Sequence, residues 1–386
     1  MQNSSFSPQT LLVLESVKIH KNSELIEKLI CDINDWDNFA RLAYAHGIFP
    51  LVYKTLKTYE TFMSQEVLMK MKKYYMDIVK QSMLMTSELL SIMKLFEENS
   101  INAISFKGPL LSQMAYKDIS SRQYVDLDIL INEKDIVLAT KVLTENFYKS
   151  EYNLTSYQNQ NLLKNVHDVA FYNTKNSVRL ECHWTLTSGE FYINIQNWNL
   201  FEDVSYVKIN NTPVPTVENE KLIVYLCIHG YKHMWERIEW LSDILYLNDN
   251  NTVDWKEVLK LAYSIDADRV VLSSLYLCEQ MLNMELSNEI SQAIKKDKKL
   301  LKISQKMLKK LHQSYNDLPN ESVHSKYVSY IQLYMLKNLS SQLTYILTLF
   351  TPTELDYQVV ALPKSLSFFY YAIRPFNILI KSLKSG

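Results

Sequence analysis

One region constrains the fold of this chain more than any other part of its sequence. It is predicted to contain a strand, a turn and a helix, followed by a second strand. The apolar run from Ile101 to Phe106 predicts the first strand, and Pro109 opens a helix that continues to about Tyr116. The second strand runs from Asp126 to Ile131. Since successive side chains of a strand point to opposite faces, its two aspartates lie on the same face.

Two aspartates on one face of a strand are a candidate cation site. Hard divalent ions such as Mg²⁺ bind through one or two carboxylates together with substrate phosphates. Asp126 and Asp128 therefore indicate phosphoryl or nucleotidyl transfer. The alternative is an aspartate pair at a solvated strand edge.

A third acidic residue lies on a later strand. The run from Val178 to Trp184 alternates cleanly, which puts Arg179, Glu181 and His183 on one face. If this strand and the aspartate strand are neighbours in one sheet, Glu181 reaches the aspartate pair. We therefore expect Glu181 to complete a metal site. We expect His183 either to help deprotonate an acceptor or to bond a neighbouring carboxylate.

The turn between the first strand and the helix has the composition of a phosphate-binding turn. Glycine is scarce, with five in 386 residues, so Gly108 at this junction is informative. A glycine there lets the backbone approach a phosphate, and the helix N-terminus directs free N–H groups towards it. Lys107 adds a positive charge. The alternative is an ordinary tight turn with an exposed lysine.

Taken in chain order, these elements resemble a known family. They are Lys107-Gly108, a helix with Tyr116 near its end, Arg122, Asp126-x-Asp128, and Glu181 ahead of His183-Trp184. The set is similar to that of the uncharacterised nucleotidyltransferase family of the DNA polymerase β-like superfamily. The segment from His229 to Ile244 also matches the helical pattern of that family, so the resemblance covers roughly residues 40 to 380.

The resemblance implies a metal-dependent nucleotidyltransferase. Such an enzyme moves an NMP group from ATP or another NTP to an acceptor and releases pyrophosphate, with two Mg²⁺ (or Mn²⁺) ions. The implied catalytic metal ligands are Asp126, Asp128 and Glu181, and the implied triphosphate contacts are Lys107, Gly108 and Arg122. One departure is Pro109, which stands where the superfamily usually has serine or glycine, so a serine contact to phosphate is absent.

The same layout resembles the nucleotidyltransferase-like toxins of bacterial abortive-infection systems. That resemblance makes the modification of RNA or tRNA the first alternative function. A non-catalytic nucleotide-binding scaffold with the same fold is the second. The sequence favours an enzyme over a scaffold because all three acidic positions are filled.

A second group of polar residues follows Glu218. The residues that recur at three- or four-residue steps are His229, His233, Glu236, Trp240 and Asp243. This spacing puts them on one stripe of one helix, or of two helices in continuation. We expect the stripe, together with Arg237 and Tyr116, to face the nucleotide or acceptor or to support the site. Structural hydrogen bonding and a His-x-x-x-His metal site are the alternatives.

A lysine-rich segment is the strongest local charge in the sequence. Between Lys295 and Lys310, eight lysines interleave with apolar residues at helical spacing, which predicts one amphipathic helix with a basic outer face. A solvated face is the favoured interpretation. Contact with a polyanionic acceptor such as tRNA is the alternative, so nucleic acid ranks below a small-molecule, peptide or sugar acceptor.

Composition indicates a cytoplasmic protein. The formal net charge is −1, which leaves no global field for steering nucleic acid or a membrane. Four widely spaced cysteines predict reduced core residues: Cys31, Cys182, Cys227 and Cys278. The first residues carry no signal-peptide pattern, and polar residues interrupt the apolar C-terminal segments, so no membrane span is expected.

Hydrophobic periodicity divides the chain into helical, mixed and helical parts. The predicted fold class is α+β, a small mixed nucleotidyltransferase-type sheet with flanking helices between two α-helical regions. The predicted domains are an N-terminal helical region (1–99), a nucleotidyltransferase core (100–216) and a C-terminal helical domain (217–386). A long amphipathic helix from about Ser64 to Glu98 closes the first region, and a hairpin through Asn210-Asn211 leads out of the second.

Overall fold

Helices surround a small mixed sheet in this chain. The computed structural model describes residues 6–151, 168–186, 198, 200–202, 204–318, 331, 333–348 and 369–384. Its sheet lies in the middle of the sequence, between helical parts on both sides. The α+β class is therefore confirmed, whereas the three domain boundaries stay a prediction.

The N-terminal part is helical throughout its regular elements. Its helices are α1 (Pro8–Val17), α2 (Ser23–Cys31), α3 (Trp36–Ala45), α4 (Phe49–Lys57) and α5 (Gln65–Glu98), with a 3-10 turn at Glu60–Phe62. The Ser64 side chain accepts the backbone N–H of Val67 and caps α5, as the prediction of a helix from Ser64 requires. One stripe of α5 is buried, including Met71, Met85 and Phe96, and α5 packs against the sheet and its first helix.

Five short strands form the central sheet. They are β1 (Ala103–Ser105), β2 (Asp126–Ile131), β3 (Tyr148–Ser150), β4 (Asp168–Asn173) and β5 (Arg179–His183), in the spatial order β1-β2-β5-β4-β3. The central pair, β2 and β5, is parallel, and the remaining pairs are antiparallel. The neighbour relation expected for the two acidic strands is thus confirmed. The sequence did not predict β3, which has three residues and too little pattern to detect.

Two helices lie in the described part of the middle region. They are α6 (Gly108–Tyr116) and α7 (Ile136–Glu145), the latter preceded by a 3-10 turn at Glu133–Asp135. The predicted hairpin is also present, as β6 (Val204–Ile209) and β7 (Thr212–Val217) in a separate two-stranded sheet. Its two turn residues, Asn210 and Asn211, have φ values of 48° and 67°. Asparagine tolerates this left-handed region better than most residues, which fixes the turn.

The C-terminal part is again helical. Its helices are α8 (Asn219–Lys232), α9 (Ile238–Asn250), α10 (Trp255–Ser264), α11 (Asp268–Leu282), α12 (Asn288–Lys296), α13 (Lys298–Ser314), α14 (Leu339–Thr348) and α15 (Tyr370–Lys384). The buried hydrophobic cluster extends from α1 through the sheet to α13 and on to Met335.

The histidine stripe is divided between two helices that are not in continuation. Met234 and Trp235 have φ values of 52° and 56°, so the chain turns sharply after α8 and α9 packs back against it. Trp235 is fully buried, and its ring occupies the space above Gly230. The expectation that the stripe lies on one helix, or on two helices in continuation, was therefore wrong, although the rings of His229, His233 and Trp240 are in contact.

The lysine-rich segment also contains a helix break. Asp297 separates α12 from α13, and its side chain accepts the backbone N–H groups of Lys299 and Leu300. The single helix predicted across this segment was wrong, because an aspartate that caps the second helix outweighs the continuous hydrophobic spacing. One further correction concerns Cys31, which is exposed, while Cys182, Cys227 and Cys278 are buried and all four are free thiols.

Among the described residues, no helix is long and apolar enough to cross a membrane. The expected cytoplasmic location stays a prediction.

Candidate active site

The two acidic strands bring three potential ligands together. In the parallel pair of β2 and β5, Asp128 is in register with Glu181. One ligand atom from each of Asp128, Glu181 and His183 lies within 4.8 Å of the others. Alternation along β5 puts Glu181 and His183 on the same face, and the parallel register puts that face beside Asp128. This acidic cluster, Asp128, Glu181 and His183, is the centre of the candidate site.

His183 bridges the two carboxylates. Its Nε2 lies 3.2 Å from Oδ1 of Asp128 and 3.5 Å from Oε2 of Glu181. Burial disfavours the charged imidazole, but the hydrogen bonds to Asp128 and Glu181 outweigh it and raise the pKa of His183 to about 9. The hydrogen bond from His183 also lowers the pKa of Glu181, although burial opposes this. Of the two roles expected for His183, the bond to a neighbouring carboxylate is present.

Lys107 contacts the same oxygen of Asp128 as His183 does. Its Nζ is 3.3 Å from Oδ1 of Asp128, and it is 5.5 Å from the centre of the Tyr225 ring on α8. Burial lowers the pKa of Lys107, but the charge of Asp128 and the neighbouring Tyr225 raise it above its usual value overall. Burial likewise opposes ionisation of Asp128, yet Lys107 and His183 hold the pKa of Asp128 below its usual range. Both groups are therefore charged at neutral pH.

Asp126 lies at the more exposed end of β2, outside the acidic cluster. Its Oδ2 is 3.4 Å from Nη1 of Arg179, and the same guanidinium nitrogen lies 2.5 Å from Oε1 of Glu181. Burial and repulsion by Asp128 and Glu181 raise the pKa of Asp126 to about 6. The three carboxylates therefore repel one another despite the cations beside them.

Gly108 forms the turn that joins β1 to α6. Its φ of +57° lies in the left-handed region, where a side chain is disfavoured. A Cβ atom at this position would lie 3.5 Å from the backbone oxygen of Asp126, which is ordinary contact. The backbone conformation, and not a lack of space, is therefore what requires glycine here. Pro109 follows in the first turn of α6, as expected.

Arg122 is held by a buried carboxylate. Its Nε donates to both oxygens of Asp243 on α9, at 2.9 and 3.1 Å, and the hydroxyl of Tyr116 donates to Oδ1 of the same carboxylate at 2.9 Å. Tyr116 also lies 2.9 Å from the hydroxyl of Ser242. Burial disfavours the charge on Arg122, but Asp243 and Glu239 outweigh it and raise the pKa of Arg122. Tyr116 and Asp243 thus support Arg122, whose contact with a triphosphate stays a prediction.

The histidines of α8 form an aromatic group of their own. The ring centres of His229 and His233 lie 4.9 Å apart, and each is within 6 Å of the Trp240 ring. Burial, with the positive charge of Lys107 nearby, lowers the pKa of His229 well below its usual value. His229 also lies beside Tyr225, one helical turn earlier, at 5.9 Å between ring centres. Neither histidine is in the acidic cluster, so their roles stay predictions.

Arg237 contacts the N-terminal helical part. Its Nε donates to the backbone oxygen of Ala45 at 3.2 Å, and its Nη1 lies 3.2 Å from Oε1 of Glu239. Arg237 is thus tied to the C-terminal end of α3. A role for it with the acceptor stays a prediction.

Two residues of the site's surroundings were not assigned from the sequence. Arg179 shares a strand face with Glu181, so the alternation of β5 already contained the signal. Tyr225 precedes His229 by four residues on α8, a spacing that puts the two side chains on one face. The contact of the Tyr225 ring with Nζ of Lys107 depends on how α8 packs against the sheet. No local sequence pattern predicts this packing.

The arrangement is a carboxylate centre with cations on two sides. Asp128 and Glu181 present oxygens to a shared point, while Lys107 and Arg179 flank them. Carboxylate oxygens are suitable ligands for Mg²⁺ and Mn²⁺, and an imidazole nitrogen extends the set to transition metals. The positive groups nearby suit a phosphate-bearing substrate.

Two comparisons with known proteins bear on the identity of the chain. No match to the chain is found among the curated proteins. A family model described as uncharacterised nucleotidyltransferase matches residues 32–283, which include the acidic cluster, Lys107, Arg122 and Asp243. The match ends at residue 283, short of the residue 380 expected from the sequence, so α12 to α15 lie beyond it. Since the match covers well over half of the chain, the protein belongs to the uncharacterised nucleotidyltransferase family.

Proposed function

We propose that this protein transfers a nucleotidyl group from an NTP to an acceptor and releases pyrophosphate. The observation that carries the proposal is the register of Asp128 with Glu181 on adjacent parallel strands, with a ligand atom of His183 within 4.8 Å of both. Membership of a nucleotidyltransferase family supports it independently. The acceptor in this proposal is a small molecule, a peptide or a sugar.

The acidic residues suit a divalent cation, Mg²⁺ or Mn²⁺. In the proposal, Asp126, Asp128 and Glu181 are its ligands, and His183 orients the two carboxylates that it bridges. The pKa of Asp126, raised to about 6 by burial and by the other two carboxylates, indicates negative charge that the nearby cations do not fully offset. A bound divalent cation supplies Lewis-acid stabilisation of the transferring phosphoryl group.

The remaining residues act on the nucleotide. Lys107, which is charged and close to Asp128, neutralises part of the triphosphate. Gly108 keeps the backbone of the turn open, and the N-terminus of α6 directs its free N–H groups towards the phosphates. Arg122 adds a fixed charge, while Asp243 and Tyr116 hold its guanidinium in place.

Asp128→Asn tests the proposal. It keeps the size of the side chain and removes the charge, so nucleotidyl transfer should fall by about 10³-fold, or about 4 kcal/mol of transition-state stabilisation. Transfer is measured by incubating the protein with each labelled NTP, Mg²⁺ or Mn²⁺ and a cell extract, and identifying the fraction that acquires label. Calorimetric titration with Mn²⁺ alone measures the cation site without the reaction.

Asp77→Asn is the matched control, because Asp77 lies on the exposed side of α5 and pairs only with Lys80 among the described residues. It should leave both transfer and Mn²⁺ binding unchanged. If Asp128→Asn retained wild-type transfer and Mn²⁺ affinity while remaining folded, the assigned site would be wrong.

A further inference from the structure

A shallow groove of about 1000 Å³ lies among the C-terminal helices. One wall is α10, the other is α12 with the start of α13, and Leu259 and Leu272 are buried at its floor. Five lysines line the groove: Lys256, Lys260, Lys296, Lys298 and Lys337. Only two acidic residues, Glu289 and Asp297, line it as well. The groove is therefore positive in a chain whose formal net charge is −1, although Lys260 pairs with Glu257 and Lys337 pairs with Asp268.

Much of this positive charge is not neutralised within the protein. Asp297 accepts from Arg269 at 2.7 Å and from two backbone N–H groups at the start of α13, so its charge is already engaged. Three exposed lysines of the groove, Lys256, Lys296 and Lys298, have no carboxylate within 4 Å among the described residues. The concentration of like charge around one depression creates a positive potential that favours binding of a polyanion.

An aromatic ring lies within the same groove. Tyr263 on α10 is 55% exposed, and Nζ of Lys337 lies 5.2 Å from the centre of its ring. Asp268 holds that ammonium group through an ion pair. A cation beside an exposed aromatic ring suits a nucleotide, because the base can stack on the ring while the phosphate contacts the cation.

We propose that this groove binds a single-stranded nucleic acid, with Lys256, Lys296 and Lys298 on its phosphates and Tyr263 stacked on a base. Lysine acts as a point charge on phosphate, and an aromatic ring accepts any base, so the groove would bind without strong sequence preference. An acidic peptide would satisfy the lysines but not the ring. The site is separate from the acidic cluster, and binding there does not depend on nucleotidyl transfer.

The groove is built partly from residues beyond the family match. Lys256 and Tyr263 lie within residues 32–283, whereas Lys296, Lys298 and Lys337 lie after them. One wall thus belongs to the part that the family shares, and the other belongs to the C-terminal extension. α10 also packs against α8, which carries Tyr225 to the side of Lys107, so the two sites share one helical framework.

Fluorescence anisotropy with a short labelled oligouridylate, without NTP, tests this proposal. Three lysines that each neutralise one phosphate give a slope of about −2 for log K against log salt, since a single strand contributes roughly 0.7 per contact. That slope corresponds to about a 20-fold loss of affinity between about 50 and 200 mM salt. The oligodeoxythymidylate of the same length shows whether RNA or DNA is preferred, and tight binding of either supports the proposal.

Matched charge reversals locate the site. The triple variant Lys256→Glu, Lys296→Glu and Lys298→Glu should weaken binding by about tenfold or more. The control triple variant Lys302→Glu, Lys306→Glu and Lys309→Glu changes the net charge equally, on exposed positions of α13 that do not line the groove, and should retain affinity within about threefold. Circular dichroism checks that both variants stay folded. Equal losses in the two variants would overturn the proposal, since they would indicate only a general charge effect.

Tyr263→Ser separates a nucleic acid from other polyanions. Loss of base stacking should reduce affinity for oligouridylate about fivefold or more, and leave affinity for an abasic phosphodiester strand unchanged. Wild-type affinity in this variant would overturn the assignment. So would equally tight binding of oligoglutamate, or an absence of oligonucleotide binding at low salt.

Discussion

Asp243→Asn removes the partner of a buried guanidinium and should be strongly destabilising. The Asp243 side chain is completely buried. Its two oxygens share one bifurcated hydrogen bond from Nε of Arg122, and Oδ1 also accepts one from the hydroxyl of Tyr116. Arg122 is itself only 8% exposed in its side chain. Asparagine keeps the shape of the site but removes the carboxylate charge that pairs directly with Arg122.

Removal of one partner from a buried ion pair costs about 3 to 5 kcal/mol. Asparagine retains a carbonyl oxygen that accepts one bond from Arg122, so we expect a loss near the lower limit, about 3 kcal/mol. The whole stability of a protein is about 5 to 15 kcal/mol, which makes this a large fraction. Urea denaturation followed by tryptophan fluorescence measures the loss as a lower midpoint with an unchanged slope.

Two control variants test whether the loss of stability comes from the buried charge of Arg122. Glu257→Gln breaks the exposed pair of Glu257 with Lys260 and should cost less than about 1 kcal/mol, because solvent screens that pair. Adding Arg122→Met to Asp243→Asn should restore part of the stability, since the uncompensated charge is then gone. A loss for Asp243→Asn no larger than for Glu257→Gln would refute the reasoning.

Three further substitutions test the effects of backbone conformation and of burial. Gly108→Ala should lower the free energy of unfolding by about 1 to 2 kcal/mol, because alanine is disfavoured at this left-handed φ. Gly230→Ala should lower it by more in the same urea assay, because the new Cβ would lie 2.1 Å from the buried Trp235 ring. Burial lowers the pKa of His46 to about 4 from 6.5, so the unfolded chain binds more protons than the folded protein between these values. The contribution of His46 to the free energy of unfolding should therefore be fully present above about pH 6.5 and fall by up to roughly 3 kcal/mol towards pH 4. In denaturation curves recorded across that range, His46→Gln should make the free energy of unfolding less dependent on pH.

Local pattern was sufficient for the acidic strands. Alternation in Asp126 to Ile131 and in Val178 to Trp184 determined which side chains share a face. The parallel pairing of β2 with β5, which puts Asp128 in register with Glu181, was not predictable from this alternation. Gly108 was detectable because glycine is rare in this chain and a strand-to-helix turn needs its conformational freedom. These features depend on neighbours within a few residues of each other.

Long-range partners were not predictable in the same way. Arg122 was expected at the triphosphate, but its Nε is engaged by Asp243, which is 121 residues away. The break between α8 and α9 also has no local signal, since Met234 and Trp235 are poor candidates for left-handed backbone. Burial of the Trp235 ring against Gly230 holds this turn, so tertiary packing overrides local preference there.

The N-terminal helical part is an integral support for the site. The backbone N–H of Glu239 donates to the backbone oxygen of His46, and Gln123 accepts the backbone N–H of Phe49 through its side chain. Arg122 in turn donates to the backbone oxygen of Gln123. The loop between α3 and α4 therefore contacts both α9, which carries Asp243, and the segment that enters β2. These contacts cross the boundary that periodicity indicates near residue 99, and the family match likewise begins ahead of that boundary, at residue 32.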